Sequence, residues 1–395
     1  MRITYQYKLR PTADQETLMS SWLDMLRAQY NWLLGERFDW WEMNRCAVNA
    51  CPLTCSIAAP KERPNYYSQK RSLPALKGER PWYKTVHSQV LQEMVKRVDL
   101  AFARFTQGDA NGKRSGWPRF KKQGRYRTFS YPQLKADCLV DGRIKLPKIG
   151  IVKLIAHRPI PDGFLVKGGK VTCKADGWYI GLLLECKEVP ELLPSADLSR
   201  AVGIDLGLKD FLATSDGEYI AIPQFFRKSA QKLAKLQRQL ARQVKGSNRW
   251  RKQADRLAKL HLHIMRQRKD FFSKAWDWLF SKYDVVAHEK LNIKGLARTR
   301  LAKSILDAAW GQFLAMGAWK AEKAYKLTVA ENPSGTSIDC SGCGERVPKT
   351  LADREHACPS CGLVICRDVN AAINILNRAV GCQALNLSGN VRAIA

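Results

Sequence analysis

The sequence predicts a multidomain α/β chain, and three observations carry that expectation. At 395 residues it is long for one domain and comfortable for two or three, each with its own core. Its hydrophobic period alternates between two and helical spacing along the chain, so strands and long helices share it. Two Cys-x-x-Cys pairs near the C-terminus mark a small metal-stabilised insert. Hydrophobic residues make up 45% and charged residues 26%, the mixture of a folded chain rather than a disordered one.

The first element is a strand. Ile3, Tyr5, Tyr7 and Leu9 alternate with Arg2, Thr4, Gln6 and Lys8. Arg10-Pro11-Thr12 stops it, and Thr12 with Gln15 forms the pattern of a capping box. The helix it opens carries Leu18, Trp22, Met25, Tyr30 and Leu33 at helical spacing. A Pro- and Cys-rich loop is expected from about Cys46 to Pro81, with Cys46, Cys51 and Cys55 read as loop thiols because their spacing is irregular and no fourth ligand accompanies them. Val86, Val90, Met94, Val98, Phe102 and Phe105 then mark a second amphipathic helix. From Arg125 to Val189 the period is two, with short strands near Leu139–Val140, Arg143–Leu146, Val152–Ile155, Val171–Cys173 and Trp178–Leu184. Asp141-Gly142 and Asp176-Gly177 are hairpin signals, and the opening strand is expected to join this set in a small barrel.

A third region starts near Ser195. Ala201–Asp205 reads as a short buried strand. Helices carrying Leu233, Leu236, Leu240 and Val244, and then Trp250 to Leu279, are separated by Gly246-Ser247-Asn248. Residues 227–303 hold 22 Lys+Arg against 5 Asp+Glu, so their exposed faces present one sign of charge.

The whole chain has 66 Lys+Arg against 36 Asp+Glu, a formal charge of +30. An enzyme of neutral small molecules needs no such field, whereas a polyanion does, and nucleic acid is the commonest one. No apolar run reaches 18 residues and the opening residues lack a signal peptide's hydrophobic stretch, so the expected location is cytoplasmic, beside the nucleoid, with no membrane partner.

Four cysteines and three acids carry the chemistry. Cys340 and Cys343, then Cys358 and Cys361, each pair followed by glycine, fit one tetrahedral zinc ion in a closed, structural site. Asp205 ends one apolar strand, Glu289 ends another, and Asp368 stands ahead of a helix with Ala372, Ile375, Leu376 and Ala379 on its apolar face. A charged group at a buried strand end is costly unless it binds something. Acids arriving from such separate elements can converge to hold two divalent ions, and magnesium suits all-oxygen ligands. Read singly, each has another explanation. Gly203-Ile-Asp-Leu-Gly207 also suits the actin and sugar-kinase type of ATPase, while Glu289 and Asp368 could be helix caps or ion-pair partners.

Taken together, Gly203-Ile-Asp-Leu-Gly207, His288-Glu-Lys-Leu291, the cysteine pairs and Arg367-Asp-Val-Asn-Ala-Ala372 closely resemble the transposon-encoded TnpB (OrfB) family, compact relatives of the type V CRISPR nucleases. Tyr7-Lys-Leu-Arg-Pro-Thr12, Trp117-Pro-Arg-Phe-Lys-Lys122, Arg266-x-Arg-Lys-Asp270 and Pro333-Ser-Gly-Thr-Ser337 extend the likeness over essentially the whole chain. The resemblance implies an RNA-guided DNA endonuclease that cleaves target double-stranded DNA beside a short adjacent motif, by magnesium-dependent hydrolysis at one site. It implies a RuvC-type, RNase H-like domain at 195–335 and 366–380 with catalytic Asp205, Glu289 and Asp368, and a zinc ribbon at 336–365. A wedge-like β-barrel at 1–10 and 126–194, a helical recognition insert at 11–125 and a tail at 381–395 complete the expected arrangement. The implied partner is a guide RNA from the transposon end, held by a monomeric protein in a prokaryotic cell. Cys366 stands where many members have an acid, and Gly317-Ala-Trp-Lys320 replaces the usual Leu-x-Tyr-Lys.

Aromatic residues interleave with cations from Trp117 to Tyr131, a pattern suited to stacking on unpaired bases, or else to a strand with a buried aromatic face. Two other functions fit the architecture: a nuclease-inactive RNA-guided repressor, and a transposase or accessory protein acting directly on transposon DNA. The presence of all three acids argues against the first. The lack of a nucleophilic Tyr or Ser pattern argues against the second.

Overall fold

The computed structural model describes residues 2–45, 62–186, 197–350 and 353–387. Cys46, Cys51 and Cys55 lie outside the described residues. The chain divides into two compact units, residues 1–190 and 191–395.

The first unit is built on strand β1 (Arg2–Arg10), whose strict alternation buries Ile3, Tyr5, Tyr7 and Leu9 and exposes their neighbours. Around it, among the described residues, lie β2 (Thr128–Tyr131), β3 (Leu139–Val140), β4 (Arg143–Leu146), β5 (Gly150–Ile155), β6 (Leu165–Lys174) and β7 (Gly177–Glu185). They form an antiparallel sheet in the order β2-β6-β7-β1-β5-β4-β3, so the opening strand does join the later set. Asp141 and Gly142 both take positive φ, the geometry of the tight hairpin their sequence signals.

Helix α1 (Ala13–Arg45) opens with the expected box. The Thr12 N–H donates to Gln15 Oε1 at 3.1 Å, and the Gln15 N–H returns a bond to Thr12 Oγ1 at 3.3 Å. Its buried face, with Trp22, Leu26 and Leu33, meets Val90, Met94, Val98 and Phe102 of α4 (Ser88–Thr106) in one core with the sheet.

Part of the segment expected as a loop is helical, in α2 (Tyr66–Arg71) and α3 (Leu73–Glu79). Two features explain the difference. Asn65 accepts from the Tyr67 and Ser68 N–H groups, and Pro74 sits in the first turn of α3, where its missing N–H costs no hydrogen bond. The aromatic stretch divides between its two readings. Tyr126, Phe129 and Tyr131 are core residues, whereas Trp117 and Phe120 remain 40% and 53% exposed.

The second unit centres, among the described residues, on a five-stranded sheet of β8 (Ala201–Asp205), β9 (Asp210–Thr214), β10 (Tyr219–Ala221), β11 (Val285–Glu289) and β12 (Leu327–Glu331). Its order is β10-β9-β8-β11-β12. The first three strands form an antiparallel meander, and β11 and β12 then run parallel to β8. Val202, Ile204, Phe211, Trp276 and Phe313 lie in its main core.

Helices α5 (Phe225–Ala241) and α6 (Asn248–Lys282) form the basic pair, separated where Gly246-Ser247-Asn248 predicts. Ser247 Oγ accepts from the Trp250 N–H at 3.1 Å and so starts α6. Short helices α7 (Ile293–Leu296) and α8 (Ala302–Ala308) lead to α9 (Trp310–Ala324). Buried Asp307 on α8 accepts from the Phe226 and Arg227 N–H groups at the α5 N-terminus and from Arg268 on α6, so one carboxylate anchors the pair. The hairpin β13 (Glu355–Ala357) and β14 (Val364–Cys366) runs directly into α10 (Arg367–Leu387).

Candidate active site and cysteine cluster

Two parallel strands and one helix position the three acids. Asp205 and Glu289 are the last residues of β8 and β11. The register pairs His288 with Ile204, so the next step of the ladder sets Glu289 beside Asp205. Asp368 lies in the first turn of α10, which packs across the same sheet face.

Gly203 is what permits that packing. A Cβ there would stand 2.0 Å from the Ala372 carbonyl oxygen and 2.9 Å from the Leu376 nitrogen, both backbone atoms of α10. Asp205, two residues further along the strand, shares the face of Gly203, and Asp368 lies one helical turn before Ala372. The glycine of Gly-Ile-Asp therefore brings the helix close enough for Asp368 to approach Asp205.

The electrostatics report the convergence. The Asp205 carboxyl is pushed up to about 7, first by burial and then by the charges of Glu289 and Asp368. Arg367 and the Leu206 backbone offset part of that rise. Burial also raises Glu289, against the opposing effects of Thr336 and Arg378. All three acidic residues are half-buried. Like charges gathered in this way favour a cation, and an all-oxygen donor set fits magnesium.

The four cysteines are drawn together more tightly. Cys340 and Cys361 Sγ are 3.6 Å apart, as are Cys343 and Cys358 Sγ, and all four sulfurs lie within 4.8 Å of one another. Zinc–sulfur bonds of about 2.3 Å in a tetrahedron require sulfurs about 3.8 Å apart, so the cluster fits the ion. Gly344 and Gly362 carry φ of +79° and +74° and donate to the Cys340 and Cys358 carbonyls, turning each knuckle as the sequence implied. Among the described residues no other group of three or more such ligands gathers this closely; the carboxylates approach one another less tightly.

Sequence reasoning quoted Thr336 and Asn370 within motifs but gave no role to the residues that connect the two sites. Thr336 is 2% exposed and donates from Oγ1 to Glu289 Oε1 at 2.5 Å. Buried Asn370 and Asn374, with Arg378, form a polar line along α10 that grips residues 332–341. Their spacing of four, on a helix otherwise apolar on its packed faces, was the available signal. Burial first, and then Cys366, the departure beside Arg367, raise the Tyr219 phenol.

In the first unit, Arg97, Arg104, Lys121, Arg125 and Arg127 line, with Tyr30, part of a cavity of about 350 Å³ that has no acid among the described residues of its wall. Exposed Phe120 stands one residue from Lys121 in the sequence.

Family profiles cover three parts of the chain. Residues 185–300 match one described as "Probable transposase", residues 310–375 match "Cas12f1-like, TNB domain", and residues 1–46 match "Helix-turn-helix domain". Over 2–45 this chain has one strand and one long helix instead of a helix-turn-helix. The putative RNA-guided DNA endonuclease InsQ of Escherichia coli (strain K12) is 30% identical over 380 residues, spanning 88% of this chain and 92% of that protein. A putative RNA-guided DNA endonuclease of Streptomyces pristinaespiralis is 30% identical over 389 residues, spanning 96% and 90%. A cryo-EM structure of a Cas12f1-sgRNA-target DNA complex aligns with a TM-score of 0.48 at 12% identity, over 95% of this chain and 99% of that one. The chain belongs to the TnpB (OrfB) family, relatives of the type V nucleases.

Proposed function

We propose that this chain is a transposon-encoded, RNA-guided DNA endonuclease whose single active site consists of Asp205, Glu289 and Asp368. The observation that carries the reading is the convergence of these acids from two strand ends and one helix start onto one half-buried site. The 3-2-1-4-5 strand order, an antiparallel meander followed by two parallel strands, supports an RNase H-like, RuvC-type domain at 195–335 and 366–380.

The three carboxylates would hold two magnesium ions. Bound there, magnesium activates water and stabilises the leaving oxygen in phosphodiester hydrolysis. The chain's own contribution is placement. Gly203 lets α10 bring Asp368 to Asp205.

Cys340, Cys343, Cys358 and Cys361 would hold one structural zinc ion in a ribbon at 336–365. The seven-stranded sheet with its flanking helices supports a reading of the first unit as a wedge-like barrel at 1–10 and 126–194 carrying a recognition insert at 11–125. Its cation-lined cavity, with exposed Trp117 and Phe120, suits the phosphates and unpaired bases of a guide RNA. Base pairing, rather than side chains, would then read the target sequence, and the protein would read only a short adjacent motif. One nuclease site per chain requires no dimer. Among the described residues, no helix is long and apolar enough to cross a membrane.

The test has two stages. The protein is expressed with its native flanking DNA, and the RNA that copurifies is sequenced. The expected result is one RNA with a constant body and an end matching DNA outside the element. Plasmids matching that end are then offered to wild type and Asp205→Ala, and only wild type is expected to cut. Equal cutting by both would end the assignment.

A further inference from the structure

We propose that Thr336 is a positioning residue for Glu289, and that α10 holds it in place, making the segment ahead of the cysteine cluster part of the metal-binding machinery. The inference rests on the nuclease reading above and concerns residues to which that reading gives no part in metal affinity.

The geometry is a closed loop of contacts. Glu289 ends β11 with one carboxylate oxygen 2.5 Å from the Thr336 hydroxyl. Thr336 is itself held by its backbone, because its carbonyl accepts from Asn374 Nδ2 at 2.9 Å. Asn374 belongs to the helix that begins with Arg367 and Asp368. One acid is thus tied through a threonine to the helix that presents another.

The helix grips the same segment at three levels. Asn370 donates to the Asp339 carbonyl at 2.8 Å and accepts from the Ser341 N–H at 2.9 Å. Asn374 adds a bond to the Asp339 carbonyl at 2.7 Å. Arg378 reaches the Asn332 and Ser334 carbonyls and, at 3.0 Å, Asp339 Oδ2. Asn370 and Asn374 are 0% and 8% exposed, so these bonds are made where water cannot substitute for them.

A short, half-buried hydroxyl bond to a single carboxylate oxygen has a specific consequence. It fixes the rotation of the Glu289 carboxyl and leaves the second oxygen for another partner. Hydrogen bonds to a ligating carboxylate of this kind orient it, and their removal typically costs about 10–100-fold in metal affinity or activity. A threonine that only tied down the end of β11 would affect folding instead and leave metal affinity unchanged. The Thr336 hydroxyl also lies 3.1 Å from the Pro333 carbonyl, but its single proton goes to the nearer Glu289 oxygen.

The experiment compares Thr336→Val, which replaces the hydroxyl with a methyl, and Thr336→Ser, which keeps it. Manganese binding to the RNA-free full-length protein is measured by calorimetry. The magnesium dependence of plasmid cleavage is measured on the protein with its copurified RNA. Zinc content serves as the folding control. Thr336→Val is expected to weaken manganese binding, and to raise the magnesium concentration for half-maximal cleavage, by roughly tenfold. Thr336→Ser is expected to remain within about twofold of wild type, and both variants to keep their zinc.

Wild-type manganese affinity and magnesium dependence in zinc-loaded Thr336→Val would overturn the proposal. If that variant loses zinc, Thr336→Ala, which opens the hydroxyl's space to water, is held to the same two outcomes. Asp205→Ala separates this inference from the nuclease reading. Full cleavage by Asp205→Ala sinks the reading itself, whereas abolished cleavage beside an unshifted Thr336→Val sinks only the role of Thr336.

Discussion

The cysteine cluster and the carboxylate cluster of the second unit are assembled by opposite means. Each cysteine pair comes from one tight knuckle, so local backbone turns at Gly344 and Gly362 set half of the geometry before any tertiary contact forms. The two knuckles then meet with Cys340 3.6 Å from Cys361 and Cys343 3.6 Å from Cys358, close to the spacing of a bound ion. The acids come from positions 205, 289 and 368 and meet only because a helix packs over two strands. They share one sign of charge and remain less tightly gathered than the sulfurs. A closed local cluster suits a structural ion, and an open cluster assembled from distant elements suits ions that must also admit a substrate.

The largest expected effect falls on the closed cluster. Structural zinc in small folds contributes about 10–16 kcal/mol of apparent binding energy at neutral pH. Cys340→Ser is therefore expected to lose the metal and melt the β13–β14 hairpin, read by zinc content and by proteolysis between residues 336 and 366. Full zinc retention in this variant would show that the cluster does not close on one ion. Asp205→Ala comes next, with plasmid cleavage expected to fall by at least about 10³-fold, some 4 kcal/mol of barrier. Its zinc content and copurified RNA should stay at wild-type levels, because the two clusters fold by separate means.

Gly203→Ala tests the step on which only the carboxylate cluster depends. The added Cβ meets the α10 backbone at 2.0 Å, and backbone in a packed helix cannot yield as a flexible side-chain end can. Overpacking of this kind costs about 1–3 kcal/mol. The Tm is expected to fall by several degrees, and cleavage by more than that instability explains, because α10 and Asp368 are pushed from the strand. A variant with a lowered Tm but undiminished cleavage at a permissive temperature would show that the acids tolerate a displaced helix.

Legibility in the sequence follows the same division. Local signals were readable: the Thr12–Gln15 box, the Asp141-Gly142 hairpin, the Gly246-Ser247-Asn248 break, and the cysteine knuckles with their glycines. The three acids could be named from their places at strand ends and a helix start, but Gly203 could not be seen as the reason they meet, since its neighbour Ala372 lies in a distant helix. Thr336, Asn374 and Asp307 were illegible in role, because a buried polar side chain reveals its partner only after folding. Composition misled over Tyr66–Glu79, within the segment where Pro and Cys suggested loop, because Pro74 in a first turn and Asn65 as a cap are helix starts. The aromatic run from 117 to 131 misled by half, since pattern alone does not distinguish the buried Phe129 from the exposed Phe120. Gly317, a departure from the family pattern, has a reason visible only after folding: its missing Cβ leaves room for the Trp276 ring, which would otherwise stand 2.0 Å away.

The smallest expected effect measures the tension stored in the open cluster. Asp205 has its carboxyl held near 7 in the folded protein by burial and by Glu289 and Asp368, against about 3.9 in an unfolded chain. The folded state therefore binds a proton that the unfolded state has released. That contribution to stability is complete below about pH 4 and is lost as pH rises through 7. Asp205→Asn has no such proton to lose. Without divalent metal, the variant is expected to melt progressively higher than wild type as pH rises from 5 to 8, reaching a few degrees. Magnesium should reverse the order at pH 8 by supplying the charge the three acids lack, raising the Tm of wild type more than that of Asp205→Asn. Parallel melting curves for the two proteins from pH 5 to 8 would mean that the carboxylates do not repel one another in solution. The contrast with the cysteine cluster would then rest on ligand chemistry alone.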